Sequence, residues 1–450
     1  PGLIEYKKVI APVRVAAGNL KKGEIIVENH YDFIDLSHLR CLWTVTENGL
    51  PIQSGAIALP AIAAGKKASV TIPYKLPAVA LPQAEYFLDM KFVLDVETLW
   101  APAGHEIVFC QLPLPVKAAA LKRPMPSLPP KVWQEKDTMF FEAGDSSFVF
   151  NTVTGELIDW TRGGQELLAA GPILNIWRAP TDNDKHIRNQ WERFGYNTMR
   201  QRCSKITLTH NGDISVLTVT AKFAPLVRAS DVTGLGFWGY DVDYIYNIHP
   251  DGSLKLDVKA KLFKRPGGHW GVPEPGKGDF DNMPYLPRMG VVFKVPADMT
   301  NVEWFGLGPG EAYSDSFQAQ HVGLFKATVA DLFTNYLRPQ ENGNRHNVRR
   351  MSLYDGEGCG IVAAGCPQFD FTASPYTIDM INSADHPQDL EEDDAINVCI
   401  DLAQSGLGSN SCGPAPREEY RLPVKDYEFS ILFKGVAPGE LNDKSFFHII

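Results

Sequence analysis

The stretch YDVDYIYNIHPDGSLKLDVKAKLF, residues 240–263, leaves its backbone little choice. Val242, Tyr244, Tyr246 and Ile248 alternate with polar neighbours, and Leu254, Leu256 and Val258 resume the alternation after a break. A period of two places every second side chain on one face of a strand. Asp251-Gly252 supplies the reversal, so the segment predicts a half-buried β-hairpin. Shorter runs of the same kind recur at 68–76, 86–96, 146–151 and 427–435. The 38 glycines and 33 prolines are spread along the whole length and punctuate these runs. Many short strands with frequent turns predict an all-β chain built from sandwiches.

One segment breaks the pattern. VKAAALKRPMPSLPPKVW, residues 116–133, has four prolines, four basic residues and no strand period. It reads as a semi-rigid linker over 116–132. Residues 1–115 then have the size of an immunoglobulin-like β-sandwich, and 133–450 suit a large double-sheet sandwich. One helix is expected: Ile187, Trp191 and Phe194 fall at i, i+4 and i+7 behind Asp184, a good N-cap.

Composition narrows the function classes. Of 450 residues, 44% are hydrophobic and 21% charged, enough apolar surface for large cores. The net charge is -10 and no long basic run interrupts it, which argues against a surface that tracks nucleic-acid phosphates. The seven cysteines are widely spaced with no CxxC, so neither a disulfide framework nor a structural zinc site is expected. They read as free thiols in a reducing cytoplasm. GAIALPAIAAG (55–65) is too short to span a bilayer, and no signal peptide opens the chain. The first residue is Pro1, so either the start was processed or the chain is cut from a longer protein.

Chemistry-bearing residues gather in loops. NIWRAPTDND (175–184) crowds Arg178, Asp182, Asn183 and Asp184 around Pro180. FGLGPGEAYSDS (305–316) carries Glu311, Tyr313 and Asp315, and LRPQENGNRHNVRR (337–350) carries Glu341, Asn342 and Arg345. SGLGSNSCGP (405–414) is a small-residue loop with Asn410 and Cys412. Planar polar groups beside aromatics suit sugar hydroxyls and a sugar ring. They equally suit a satisfied buried loop network, and the residues alone leave both readings open. GLGFWG (234–239) matches GxGxxG, but strand-like alternation follows where a nucleotide loop needs a helix. EEDD (391–394) reads as a solvated turn, because consecutive carboxylates point apart. No local pattern marks two carboxyl groups facing each other across a glycosidic bond.

Taken together and in order, WRAPTDND (177–184), WFGLGPGEAYSDS (304–316), PQENGNR (339–345) and SGLGSNSCGP (405–414) resemble the C-terminal region of LacZ-type β-galactosidases of glycoside hydrolase family 2. PGLIEYKKVIAPV (1–13) resembles the segment leaving their catalytic barrel, and residues 44–73 resemble the immunoglobulin-like domain that follows it. The resemblance implies an immunoglobulin-like sandwich and then the β-galactosidase small-chain domain, a super-sandwich like galactose mutarotase. It implies that the catalytic glutamates and the magnesium and sodium ligands lie in a barrel upstream, with no catalytic residue, metal or cofactor site in these 450 residues. The implied partners are β-galactoside sugars, that barrel and further copies of the enzyme, with no nucleic acid or membrane. Asp182, Asn183, Asn410 and Cys412 are the expected sugar contacts, with Arg178, Asp184, Glu341, Asn342 and Arg345 bracing them from behind. Where some members carry a tryptophan platform for the aglycone, this sequence has Cys412, which cannot stack on a ring. A stand-alone carbohydrate-binding subunit and a mutarotase-like epimerase are the alternative readings.

Overall fold

Two short antiparallel sheets, with an apolar layer between them, account for the first part of the chain. The computed structural model describes residues 2–118, 128–226, 237–265 and 283–442. The chain divides into two compact units, the first comprising Pro1–Arg123, Phe305–Gly310 and Ser316–Phe325. Its strands are β1 (Val13–Ala17), β2 (Glu24–Asn29), β3 (Leu39–Glu47), β4 (Leu50–Ala58), β5 (Lys67–Thr71), β6 (Tyr86–Leu94) and β7 (Glu106–Pro113). They form sheets in the orders β1-β2-β5 and β4-β3-β6-β7.

This is a seven-strand immunoglobulin-like sandwich with one displaced strand. In the constant-type arrangement the fourth strand stays with the first, second and fifth. Here β4 pairs with β3 instead, because a two-residue turn joins them. Asn48 and Gly49 both have positive φ, 50° and 80°, as a tight hairpin turn of this hand requires. Ile25, Val27, Cys41, Val45, Leu88, Met90 and Phe92 fill the core from both sheets. A helix that the alternation gave no sign of, Gly2–Val9, precedes β1.

The second unit comprises Pro124–Trp304, Glu311–Asp315 and Lys326–Ile450. Its small sheet holds β8 (Lys131–Glu135), β9 (Thr138–Ala143), β10 (Ser146–Asn151), β11 (Leu157–Arg162) and β12 (Gln165–Glu166). The larger sheet draws on β13 (Ala170–Asn175), β14 (Met199–Asn211), β15 (Ile214–Pro225), β16 (Phe237–Ile248), β17 (Leu254–Arg265) and β18 (Arg288–Pro296). β21 (Arg345–Tyr354), β22 (Gly360–Ser374), β23 (Ala395–Gln404) and β24 (Tyr427–Val436) follow, while β19 (Asn301–Gly308) and β20 (His321–Thr328) each belong in part to the first unit. Its main path runs β13-β18-β23-β22-β24-β17-β16-β15-β14. The opening hairpin is β16–β17, with Tyr246 opposite Leu256 and the chain reversing at Gly252 (φ 76°). Phe150 of the small sheet meets Tyr246 edge to face at 4.9 Å, so the two sheets share one apolar layer.

Topology decides which loops meet. β13 and β23 flank β18, with Asn175 opposite Gly290 and Arg288 opposite Gln404. The chain leaving β13 and the chain leaving β23 therefore emerge at the same end of the sheet. Arg345, which opens β21, lies opposite Phe371, and the residue before Phe371, Asp370, lies opposite Asp401. Three of the motif loops are thus delivered to one region by strand order alone.

Residues 119–127 of the expected linker and 234–236 of the glycine-rich stretch lie outside the described residues. Trp238 and Gly239, the end of that stretch, lie in β16. Among the described residues no helix is long and apolar enough to cross a membrane.

Candidate functional site

The RAPTDND turn is organised by a fully buried guanidinium. Arg178 is 0% exposed and forks onto Asp184, Nε to Oδ2 at 3.2 Å and Nη2 to Oδ1 at 2.8 Å. Its other side donates to the Ser405 carbonyl at 2.7 Å and lies over the Trp191 ring. Burial pulls against the charge, but the charge and hydrogen bonds of Asp184, together with Glu341 and Tyr313, outweigh it and raise Arg178 above the ordinary arginine value. Asp184 also accepts from the Thr181 amide and hydroxyl at 2.9 and 3.0 Å.

That engagement corrects the expected helix start. Asp184 closes the short turn Asp182–Asp184, and the helix spans Arg188–Arg193 behind Ile187. Its carboxylate is already held by Thr181 and Arg178, so it is not free to cap that helix. Trp191 and Phe194 are buried as the spacing implies.

The turn clamps the loop that follows β23. Asn183 donates to the Gly408 carbonyl at 2.9 Å and accepts from the Ser411 amide at 3.1 Å. Lys185 donates to the Ser411 carbonyl at 2.6 Å. From the other side Asp315 accepts from the amides of Leu407 and Gly408 at 2.9 and 2.8 Å. Gly406 is required here, because a Cβ would sit 2.5 Å from the Asp315 carboxylate. The turn also holds the ENGNR loop: Glu341 donates its amide to the Ala179 carbonyl at 3.1 Å, and exposed Asp182 meets Gln340.

Behind these loops lies a second buried cation. Arg288, 0% exposed, donates twice to Asp401 Oδ2 at 3.0 and 2.5 Å and once to Glu341 at 3.3 Å. Burial raises Asp401 to about 6 even with Arg288 beside it. Asn342 folds its own loop, accepting from the Thr334 amide at 2.8 Å and donating to the Gln340 carbonyl at 2.9 Å. Gly343 has φ 75° and accommodates the Leu332 carbonyl, which a Cβ would meet at 2.6 Å. Arg345 donates to the Gly343 carbonyl at 2.7 Å and lies over Trp304, and burial lowers it to about 10. Burial likewise raises Glu311, which accepts from the Gly343 amide at 2.7 Å.

An open cleft of about 830 Å³ lies beside the clamped loop, within the size range of ligand sites. His186, Gln190, Asn410, Glu418 and Arg421 line it with Tyr285, over whose ring Arg421 lies. Of the four expected sugar contacts, Asn410 lines this cleft and Cys412 is exposed two residues further on. Asp182 is exposed beside Gln340, and both ends of the Asn183 amide hold the loop. Arg178, Asp184, Glu341, Asn342 and Arg345 are all buried, but they form two clusters, one around Arg178 and one around Arg288 and the ENG turn. Asp393 of the EEDD run binds Lys294 at 2.6 Å and Asn397 at 2.9 Å. Among the described residues no group of three or more His, Cys, Asp or Glu is placed to hold a metal ion.

Sequence reading missed Arg288, Asp401 and the His346–Asp370 pair at 2.7 Å. A signal existed for Asp401. It is a carboxylate inside the apolar run AINVCIDLAQ, and a charge on a buried strand must have a partner.

Comparison with known proteins bears on this assembly of loops. The family described as β-galactosidase small chain matches residues 142–433, which include every motif loop. The chain belongs to the β-galactosidase small-chain family. Residues 25–115 match a second family, β-galactosidase domain 4. The β-galactosidase of Priestia megaterium is 28% identical over 414 residues, covering 91% of this chain and 37% of the relative. That of Actinobacillus pleuropneumoniae is 28% identical over 445 residues, covering 96% and 40%. The chain thus spans about two fifths of the curated relatives it matches. Among solved structures, a galactose 1-epimerase from Lactobacillus acidophilus aligns to 69% of this chain and all of that one, with 9% identity. Its TM-score of 0.36 is too low to give this member of the small-chain family that topology.

Proposed function

We propose that this chain is the part of a β-galactosidase that walls the sugar site and orders its covering loop. The whole enzyme would hydrolyse terminal β-D-galactosides with retention. The observation that carries this reading is the match to two β-galactosidase families along 25–115 and 142–433. The catalytic glutamates belong in this reading to a domain outside the chain. One forms the galactosyl-enzyme, and the other protonates the leaving oxygen and then activates water. Magnesium and sodium are assigned to that same domain. The sequence motifs favour glycoside hydrolase family 2, and the free cysteines favour a reducing compartment such as the cytoplasm.

In this reading Asn410 and Cys412 face the aglycone, while Asp182 and Asn183 stand at the rim. Arg178, Asp184, Glu341, Asn342 and Arg345 act through the loops they hold. The test compares hydrolysis of a chromogenic β-galactoside by the polypeptide encoded by the whole source gene and by the 450-residue chain. The former should turn over and the latter should not. Turnover by the purified 450-residue chain would overturn the reading. In the active polypeptide, Cys412→Trp should shift the balance between hydrolysis and transfer to a sugar acceptor, since a ring would then stand where an acceptor stacks.

A further inference from the structure

One wall of the cleft is assembled from two chain segments that a single serine joins. Ser405 Oγ donates to the Leu286 carbonyl at 2.7 Å and accepts from the Leu422 amide at 2.9 Å. Leu286 and Leu422 also pair directly as an isolated antiparallel bridge. Their neighbours Tyr285 and Arg421 are thereby brought together, and the Arg421 guanidinium lies 5.6 Å over the Tyr285 ring. Both members of the stack are pinned. Trp191, itself buried, meets the Tyr285 ring edge to face at 5.8 Å and donates from Nε1 to the Tyr285 carbonyl at 2.8 Å. Arg421 donates from Nε to the Pro416 carbonyl at 2.8 Å. A guanidinium stacked on a ring loses little further freedom on binding, since its plane and direction are already set.

The group beside this stack selects the ligand. Glu418 precedes Arg421 by one short helical turn, closed by the Arg421 amide donating to the Glu418 carbonyl at 3.1 Å. Both side chains line the cleft. Among the described residues neither forms an ion pair, although their neighbours Arg417 and Glu419 meet at 3.7 Å. A donor-only group and an acceptor-only group therefore share one wall with the amides of Asn410 and Gln190, which do both. An anion would meet Glu418 and a cation would meet Arg421. Hydroxyls donate and accept, so a neutral polyol satisfies both. The flat stacked pair also matches the flat side of a pyranose ring.

We propose that this wall seats a neutral acceptor sugar whose hydroxyls are shared between Arg421 and Glu418, with Tyr285 holding the guanidinium plane. The inference rests on the function proposed above and names the ligand of the cleft. In transfer, the bond from the galactosyl C1 to the catalytic carboxylate breaks and C1 bonds to an acceptor hydroxyl oxygen, whose proton passes to the second carboxylate. Water takes the same place in hydrolysis. Arg421, Glu418 and Tyr285 thus decide how often a sugar, and not water, receives the galactosyl group.

The experiment uses the polypeptide encoded by the whole source gene, a chromogenic galactoside as donor and glucose as acceptor. The ratio of transfer product to free galactose is read by chromatography at glucose concentrations well below saturation. A ratio taken on one galactosyl-enzyme population does not depend on how much of the protein folds. It should fall about tenfold or more in Arg421→Ala and in Tyr285→Ala, as for the loss of a charge-assisted contact or of its support. Arg421→Lys keeps the charge without the plane and should fall nearly as far. The control Lys22→Ala, in an exposed turn of the first unit, should keep the parental ratio. Parental ratios in both Arg421→Ala and Tyr285→Ala overturn the proposal, and a parental ratio in Arg421→Lys overturns recognition by the plane. Glucuronate should be a poorer acceptor than glucose, because it brings a carboxylate beside Glu418. A preference for glucuronate overturns the neutral class. An active polypeptide with unchanged ratios sinks the acceptor wall alone, whereas one that does not hydrolyse the donor sinks the functional reading beneath it.

Discussion

The two units are stabilised by different means. In the first, the buried polar residues are Asn29, Thr46 and Asn48, and no charged side chain is buried among the described residues. In the second, Arg178, Asp184, Arg288, Glu341 and Asp401 are buried together with further charged residues. The sandwich of the first unit needs apolar area and little geometry, because hydrophobic burial is non-directional. The loops of the second unit have little apolar surface, so directed, charge-assisted hydrogen bonds define their course. Buried ion pairs are weak sources of net stability, since desolvation offsets most of the attraction. Their presence at the loop cluster, and not in the core of the sandwich, fits a role in fixing conformation.

The comparison breaks most visibly if one partner of a buried pair is removed. Arg178→Met leaves Asp184 buried without its cation and should lower the stability of the second unit by about 3–5 kcal/mol. The double variant Arg178→Met/Asp184→Leu should regain most of that loss in a thermal melt, because the stranded charge is gone. A double variant as unstable as the single one would show that the pair itself supplies the stability.

In the first unit the matching injury is a cavity. Leu88 is 0% exposed, and Leu88→Ala should cost about 2–5 kcal/mol in a denaturant titration. Here no companion substitution of charge should restore it, and salt should leave the loss unchanged. Marked salt sensitivity would mean that electrostatics also hold the sandwich.

The smallest effect sharpens the comparison by pH. Asp89 is the first unit's nearest approach to a buried charge. Burial raises it to about 6, against the opposing pull of its 2.7 Å bond from Gln111. A raised acid binds its proton more tightly in the folded state. Its contribution is therefore complete below about pH 4 and lost as the pH rises through about 6. Asp89→Asn keeps an oxygen to accept from Gln111 and should remove that decline. The slope it removes is at most about 1.4 kcal/mol per pH unit. Identical pH profiles for the variant and the parent between pH 4 and 6 would contradict the assignment.

The same contrast explains what was legible in the sequence. Alternation in 240–263, 86–96 and 427–435 predicted β16, β17, β6 and β24, because a period of two is written locally. The all-β character followed from it. The displaced β4 was also readable in principle, from Asn48-Gly49. Motif loops could be seen as loops. Their mutual arrangement could not, since Arg178 meets Ser405 and Arg288 meets both Glu341 and Asp401 across the sheet. Such pairs depend on the strand order β13-β18-β23, which no local pattern encodes. The helix Gly2–Val9 escaped for a different reason: none of its residues is buried, so no apolar side of it packs into a core.

The central claim is that the buried Arg178–Asp184 pair fixes the loop at 405–411. Native-state hydrogen exchange tests it most directly, because the amides of Leu407, Gly408 and Ser411 donate to Asp315 and Asn183. In Asp184→Asn these amides should exchange about tenfold faster or more, while those of β3 and β6 keep their rates. Loop amides in Asp184→Asn that are as protected as in the parent would contradict the account.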